Sequence, residues 1–149
     1  MSRFVLLVHV LSVVFWVGGM AFAQFALGPA LAGRLEPRQR LELLAAILQR
    51  LLAGVLLAIV LIVASGAWLI VQMGGMASVA PGVHAMIGLG TLMVIVYGVI
   101  RWRYYVRLQR AMADGDTPAG ASNAATVRRL VGLNLALGVV TMAVAVLAG

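Results

Sequence analysis

Charged residues cut this chain into long apolar runs. Phe4 to Gly33 spans thirty residues without Asp, Glu, Lys or Arg, and Leu51 to Ile100 spans fifty. A third such run, twenty residues long, extends from Leu130 to Gly149. A helix needs about 20 apolar residues to cross a bilayer. The first and last runs each fit one crossing, and the middle run fits two with a turn between them. Gly28 and Pro29 mark the predicted end of the first helix. The segment from Arg34 to Arg50, with Leu41, Leu43 and Leu44, reads as a short connector whose second half leads into the next span. The turn in the middle run falls between Met73 and Gly82, where Gly74, Gly75 and Pro81 interrupt the helix and Pro81 precedes a new one. Ala111 to Asn123 is polar, and Ser122 or Asn123 is positioned to cap the last helix. The pattern predicts an all-α integral membrane four-helix bundle, one domain over 1–149, with spans at about 4–28, 48–73, 83–103 and 123–147. Gly18, Gly19, Gly66, Gly88, Gly90 and Gly98 would let its helices approach closely.

Composition agrees with that pattern. The chain is 64% hydrophobic and only 10% charged, with a mean hydropathy of +1.10. A soluble domain of this length cannot bury so much apolar surface. Eleven arginines against four acids give a net charge of +7, yet the arginines flank apolar runs and form no separate basic domain for nucleic acid. Arg34, Arg38, Arg40 and Arg50 fall between spans one and two, and Arg101, Arg103, Arg107, Arg110, Arg128 and Arg129 around the connection of spans three and four. Four crossings gather these ten at one end and leave Arg3 at the other. Arginine-rich loops stay in the cytoplasm, so both termini and the connection at 74–82 are expected outside, in a bacterial-type inner membrane. Met1 to Ala23 also imitates a secretory signal, with Ala21-Phe22-Ala23 before Gln24. The apolar run continues past Ala23 and the arginine split needs the first span, so the span is expected to be retained.

The absence of Cys excludes disulfides, thiolate metal sites and a cysteine nucleophile, and no phosphate-binding glycine loop or Ser-His-Asp set is visible. No catalytic residue can be assigned. Ionisable residues inside a span are costly and point to function. The two histidines, His9 and His84, fall in spans one and three at similar depth near the outer face. Two histidines from two helices can hold haem iron from both sides, and neutral imidazole also binds copper. Ser12 and Gly88 share the helix faces of His9 and His84, and Trp16 is placed to form a pocket wall. Met73, Met76 and Met86 gather near His84, and thioethers favour Cu(I). Against these readings stand plain ones: a membrane histidine often only hydrogen-bonds a neighbour, and methionines mostly pack. Met20, Met93 and Met142 are taken as core. Trp68, Trp102, Tyr104 and Tyr105 are assigned to interface belts, and Tyr97 and Asn134 to helix–helix contacts.

The stretches from His9 through Trp16 to Gly18-Gly19, from Gly82-Val83-His84-Ala85-Met86 to Tyr97-Gly98, and from Arg129 to Asn134 resemble, in order, the first, third and fourth spans of the CopD superfamily. The resemblance implies copper handling, as in the copper-resistance CopD proteins, or haem binding, as in the HemJ-type protoporphyrinogen oxidase. The oxidase carries His-Ala-Lys where this chain has His84-Ala85-Met86, and the chain has no Lys at all. Oxidase chemistry thus lacks its lysine here, while haem binding stays open. Small members of the superfamily carry a further histidine deeper in spans one and three. The corresponding positions here are Gln24 and Val99, which implies that an inner second site has been lost.

Three functions remain in view. The leading one is a b-type haem protein with His9 and His84 as axial ligands, transferring electrons with a quinone or a periplasmic partner. The second is copper binding or transport through His9, His84, Met86, Met73 and Met76. The third is a structural or assembly subunit, either a homo-oligomer or part of a larger membrane complex.

Overall fold

The computed structural model describes residues 1–148. Four helices in it are long and apolar enough to cross a membrane: α1 (Ser2–Ala32), α2 (Pro37–Gln72), α3 (Pro81–Ala113) and α4 (Thr117–Leu147). No strand occurs among the described residues. The protein is an all-α integral membrane bundle. Phe4, Phe22, Phe25, Leu57, Val63 and Val139 are exposed, as lipid-facing side chains should be.

Each helix exceeds its hydrophobic run, and each excess has a local cause. In α1, Pro29 does not end the helix. A π-helical turn at Ala23–Leu27 precedes it, in which the Gly28 N–H reaches back to the Ala23 carbonyl. The wider turn makes room for the proline ring, which in a regular helix would clash with the carbonyl four residues back. Helix α2 begins at Pro37, with Glu36 extended at φ −62° and ψ 154°, as the residue before proline prefers. The expected connector is therefore helical. Its leucines continue one buried stripe, Leu41, Ala45, Leu48, Leu52, Val55 and Ile59, whose spacing of three and four is that of a packed helix face.

Gly74 at φ 95° and Gly75 at φ 89° end α2, and the Gly75 N–H closes onto the Ile70 carbonyl at 2.9 Å. Such positive φ angles strain any residue with a Cβ. Helix α3 passes through a second π-helical turn, Ile100–Tyr104, and continues to Ala113. Asp116, not Ser122 or Asn123, caps α4: its Oδ1 accepts the Ala119 N–H at 3.1 Å. Asn123 lies inside the helix and donates to the Ala119 carbonyl.

Helix α1 packs on α2 and α4, and α3 packs along α4. Helices α1 and α3 make more limited contact. They meet through Trp16, edge-on to Tyr97, and converge on Gly138 of α4, where an added Cβ would lie 2.9 Å from Val17 Cγ2 and 3.2 Å from Met93 Cε. Helices α2 and α3 join toward the arginine end. There the Tyr97 hydroxyl donates to the Leu52 carbonyl at 2.7 Å and the Tyr105 hydroxyl to the Ala45 carbonyl at 3.4 Å. Tyr105, expected in an interface belt, is only 2% exposed. The extended α3 turns it into the gap against α2 instead of toward the headgroups. Met20 and Met93 are core, as expected. Asn134 is 1% exposed, and its Oδ1 finds no partner among the described residues.

Candidate functional site

Depth can be measured from Gly138, since Val17 and Met93 both meet it. Counting eight residues from each toward the end that carries the termini reaches His9 on α1 and Ala85, next to His84, on α3. Counts of eight and nine residues, at about 1.5 Å per residue, place the two histidines at similar depth. The termini and the α2–α3 connection share that end: a Cβ on Gly82 would run into the backbone of Ala148.

The direction of each imidazole differs. His9 faces α2. Its Nδ1 lies 2.9 Å from Ser65 Oγ, and its ring sits over Gly66, whose added Cβ would be 3.4 Å from Cε1. The Ser65 hydroxyl has one proton, and it donates that proton to its own helix at Leu61 O. With that proton so placed, the Ser65 oxygen accepts at His9. That arrangement corresponds to the Nδ1–H tautomer, with the Nε2 lone pair free. His84 is exposed, and its Nδ1 lies 3.4 Å from the Ala80 carbonyl, an acceptor only. That contact selects the same tautomer. Both imidazoles thus present the nitrogen that binds metals, each oriented by a hydrogen bond from the other.

The two rings engage different partners. His9 meets Ser65 on α2, while His84 stands on α3 with its Nδ1 toward the Ala80 carbonyl. Ser12 is buried and donates to the Val8 carbonyl at 2.8 Å. Trp16 lies in the core, edge-on to Tyr97 at 6.5 Å, instead of walling a cavity beside His9. Gly88 has open space around its Cα. A bis-histidine haem needs opposed rings and a slot between them. The haem reading rests on sequence alone.

Copper makes a smaller demand. Met73 and Met76 are 50% and 46% exposed, on and just beyond the last turn of α2. Their place follows from the two glycines, which fold the chain back before the short Met76–Ser78 turn. His84 lies in the first turn of α3, on the far side of that connection, and Met86 follows it half-buried. Among the described residues no three His, Cys, Asp or Glu side chains converge on one point. Imidazole with thioethers is a different donor set, the soft one that suits Cu(I).

Sequence reasoning missed Ser65 and Gly66 as the partners of His9. The signal was a polar and a small residue side by side within a charge-free span. Gln24 lies in the π-helical turn of α1 beside Gly132 of α4, and its Oε1 is buried without a partner among the described residues. Val99 immediately precedes the π-helical turn of α3.

No curated protein and no solved structure matches the chain. A family model does: Copper resistance protein D, over residues 45–148. The match begins inside α2, covers α3 and α4, and leaves α1 with His9 outside it. With more than two thirds of its length matched and four spans crossing the bilayer, this multi-pass membrane protein belongs to the CopD family.

Proposed function

We propose that the protein binds copper at the end of the bundle that holds both termini, and serves copper homeostasis by holding the ion or passing it onward. His84, Met73, Met76 and Met86 are the donors around the α2–α3 connection, and His9 offers a further imidazole from α1. The observation that carries this reading is the exposure of Met73, Met76 and His84 on either side of one short connection. Exposed soft donors let an ion arrive and leave, which a buried cage does not. Family membership supports the same chemistry. Copper is here the cargo. The ten arginines at the opposite end favour an orientation in the inner membrane with this site outside, facing arriving copper.

The similar depth of His9 and His84 favours a second reading: a b-type haem held between them, exchanging electrons with a quinone or a periplasmic partner. It requires His9 to leave Ser65 and turn toward α3. The copper reading requires no such movement and is preferred.

Detergent-purified protein loaded with Cu(I) and analysed for metal tests both. Copper should be retained by the native chain, reduced in Met73→Ala with Met76→Ala, and reduced in His84→Ala. Unchanged copper on losing His84 would refute the proposed donor set. A sharp reduced α-band that His9→Ala abolishes would establish haem in its place.

A further inference from the structure

The arginine end carries a second feature that copper chemistry does not use. Ten arginines lie there against Glu36, Glu42, Asp114 and Asp116, which leaves six positive charges uncompensated. Only Arg38 and Glu42 form an ion pair among the described residues. Asp116 is engaged in capping α4. On α3, three guanidiniums are instead held over aromatic rings. Arg103 and Arg107 lie 5.8 and 5.7 Å from the centre of the same Tyr104 ring, and Arg101 lies 5.5 Å from that of Tyr105. An aromatic face fixes a guanidinium but leaves its N–H donors unspent.

Their depth is informative. Ile100 is the last residue of the charge-free run. Arg103 and Arg107 follow it by three and seven residues, about 4.5 and 10.5 Å at the helical rise. The headgroup layer beyond the hydrocarbon is roughly 5–8 Å thick on each side. The two guanidiniums therefore bracket the level of lipid phosphates. Trp102, 65% exposed, marks the boundary, as interfacial tryptophans do.

We propose that Arg103 and Arg107, held on Tyr104 and assisted by Arg101, form a binding site for the headgroup of an anionic phospholipid. Paired guanidinium forks match phosphate oxygens, and the occupant must reach this level from the bilayer itself. The site stands whether or not the protein handles copper.

Delipidated protein in an uncharged detergent can be titrated with phosphatidylglycerol and, separately, phosphatidylcholine, and followed by native mass spectrometry. Phosphatidylglycerol should bind preferentially. Arg103→Gln with Arg107→Gln should weaken it about thirty-fold, which corresponds to ~1 kcal/mol for each arginine near an anionic surface. Arg34→Gln with Arg40→Gln removes the same charge elsewhere and should weaken it far less. Tyr104→Leu keeps every charge and should still cost several-fold, because the forks lose their support. Arg103→Lys with Arg107→Lys should fall between the native chain and the glutamine pair, which guards against a trivial folding defect. Equal losses from both glutamine pairs, or equal binding of phosphatidylcholine, would overturn the site. Displacement of the lipid by millimolar inorganic phosphate would overturn the lipid as its ligand.

Discussion

Replacing Ser65 with alanine probes the side-chain hydrogen bond that orients His9. The native contact is 2.9 Å, with Ser65 accepting because its proton serves the Leu61 carbonyl. The substitution would leave the Nδ1–H of His9 facing a methyl group. A fully buried donor without a partner costs about 1–3 kcal/mol. Hydrogen bonds between membrane helices average nearer ~0.6 kcal/mol. His9 is only half-buried, so the low end of the first range applies. A loss of about 1 kcal/mol is expected, or about five-fold in the folding equilibrium. Controlled unfolding in mixed micelles would measure it. Nitrogen NMR of histidine-labelled protein reads the tautomer directly, and with two histidines in the chain His9→Gln assigns the signals. Native His9 should show a protonated Nδ1 and a bare Nε2. Ser65→Ala should show both tautomers, and Ser65→Thr should restore the native one. A bare Nδ1 in the native protein would refute the assignment, because Ser65 would then be the donor and Nε2 would not be free for a metal.

Further outcomes follow from the packing. Gly138→Ala adds a Cβ 2.9 Å from Val17 Cγ2, a branched side chain with little freedom to move, and overpacking of about 1–3 kcal/mol should outweigh the better helix former, lowering thermal stability. Gly88→Ala meets nothing within 4 Å and should leave stability unchanged or slightly raised in the same assay. Tyr97→Phe removes the bond to the Leu52 carbonyl and should cost ~1 kcal/mol without altering metal content. Glu42→Gln breaks an exposed pair with Arg38 and should change stability by less than about 0.5 kcal/mol, the usual worth of such pairs.

The four crossings were legible because hydrocarbon imposes a length and forbids charge. Where lipid stops acting, that signal stops too. Pro37–Ala46 and Tyr105–Ala113 are helical outside the charge-free runs, held by tertiary packing of Leu41, Ala45, Tyr105 and Leu108. The stripe from Leu41 to Ile59 carries that information across the boundary, but hydropathy alone does not read it. The Asp116 cap lies well before Ser122 and Asn123, because the polar loop it ends is itself mostly helix. The candidate site divides in the same way. Depth is a count along the chain, so the similar levels of His9 and His84 could be read. Facing depends on which helix each side chain meets, and no residue in α1 announces that His9 turns to Ser65 of α2.

The two π-helical turns have a consequence for comparing this chain with its relatives. A π turn is in effect one extra residue threaded into a helix, and every side chain beyond it is rotated by about 100° from where regular counting puts it. In α1 the shift begins at Ala23, and in α3 at Ile100. Positions fifteen residues beyond His9 and His84 sit at the brink of those shifts. An aligner that slides one residue there, or fails to, exchanges a core position for a lipid-facing one. Matching inner positions between this chain and another family member therefore requires the hydrogen-bond register as well as the letters, and a one-residue gap near residue 24 or 100 is the expected scar in relatives whose helices run without the bulge.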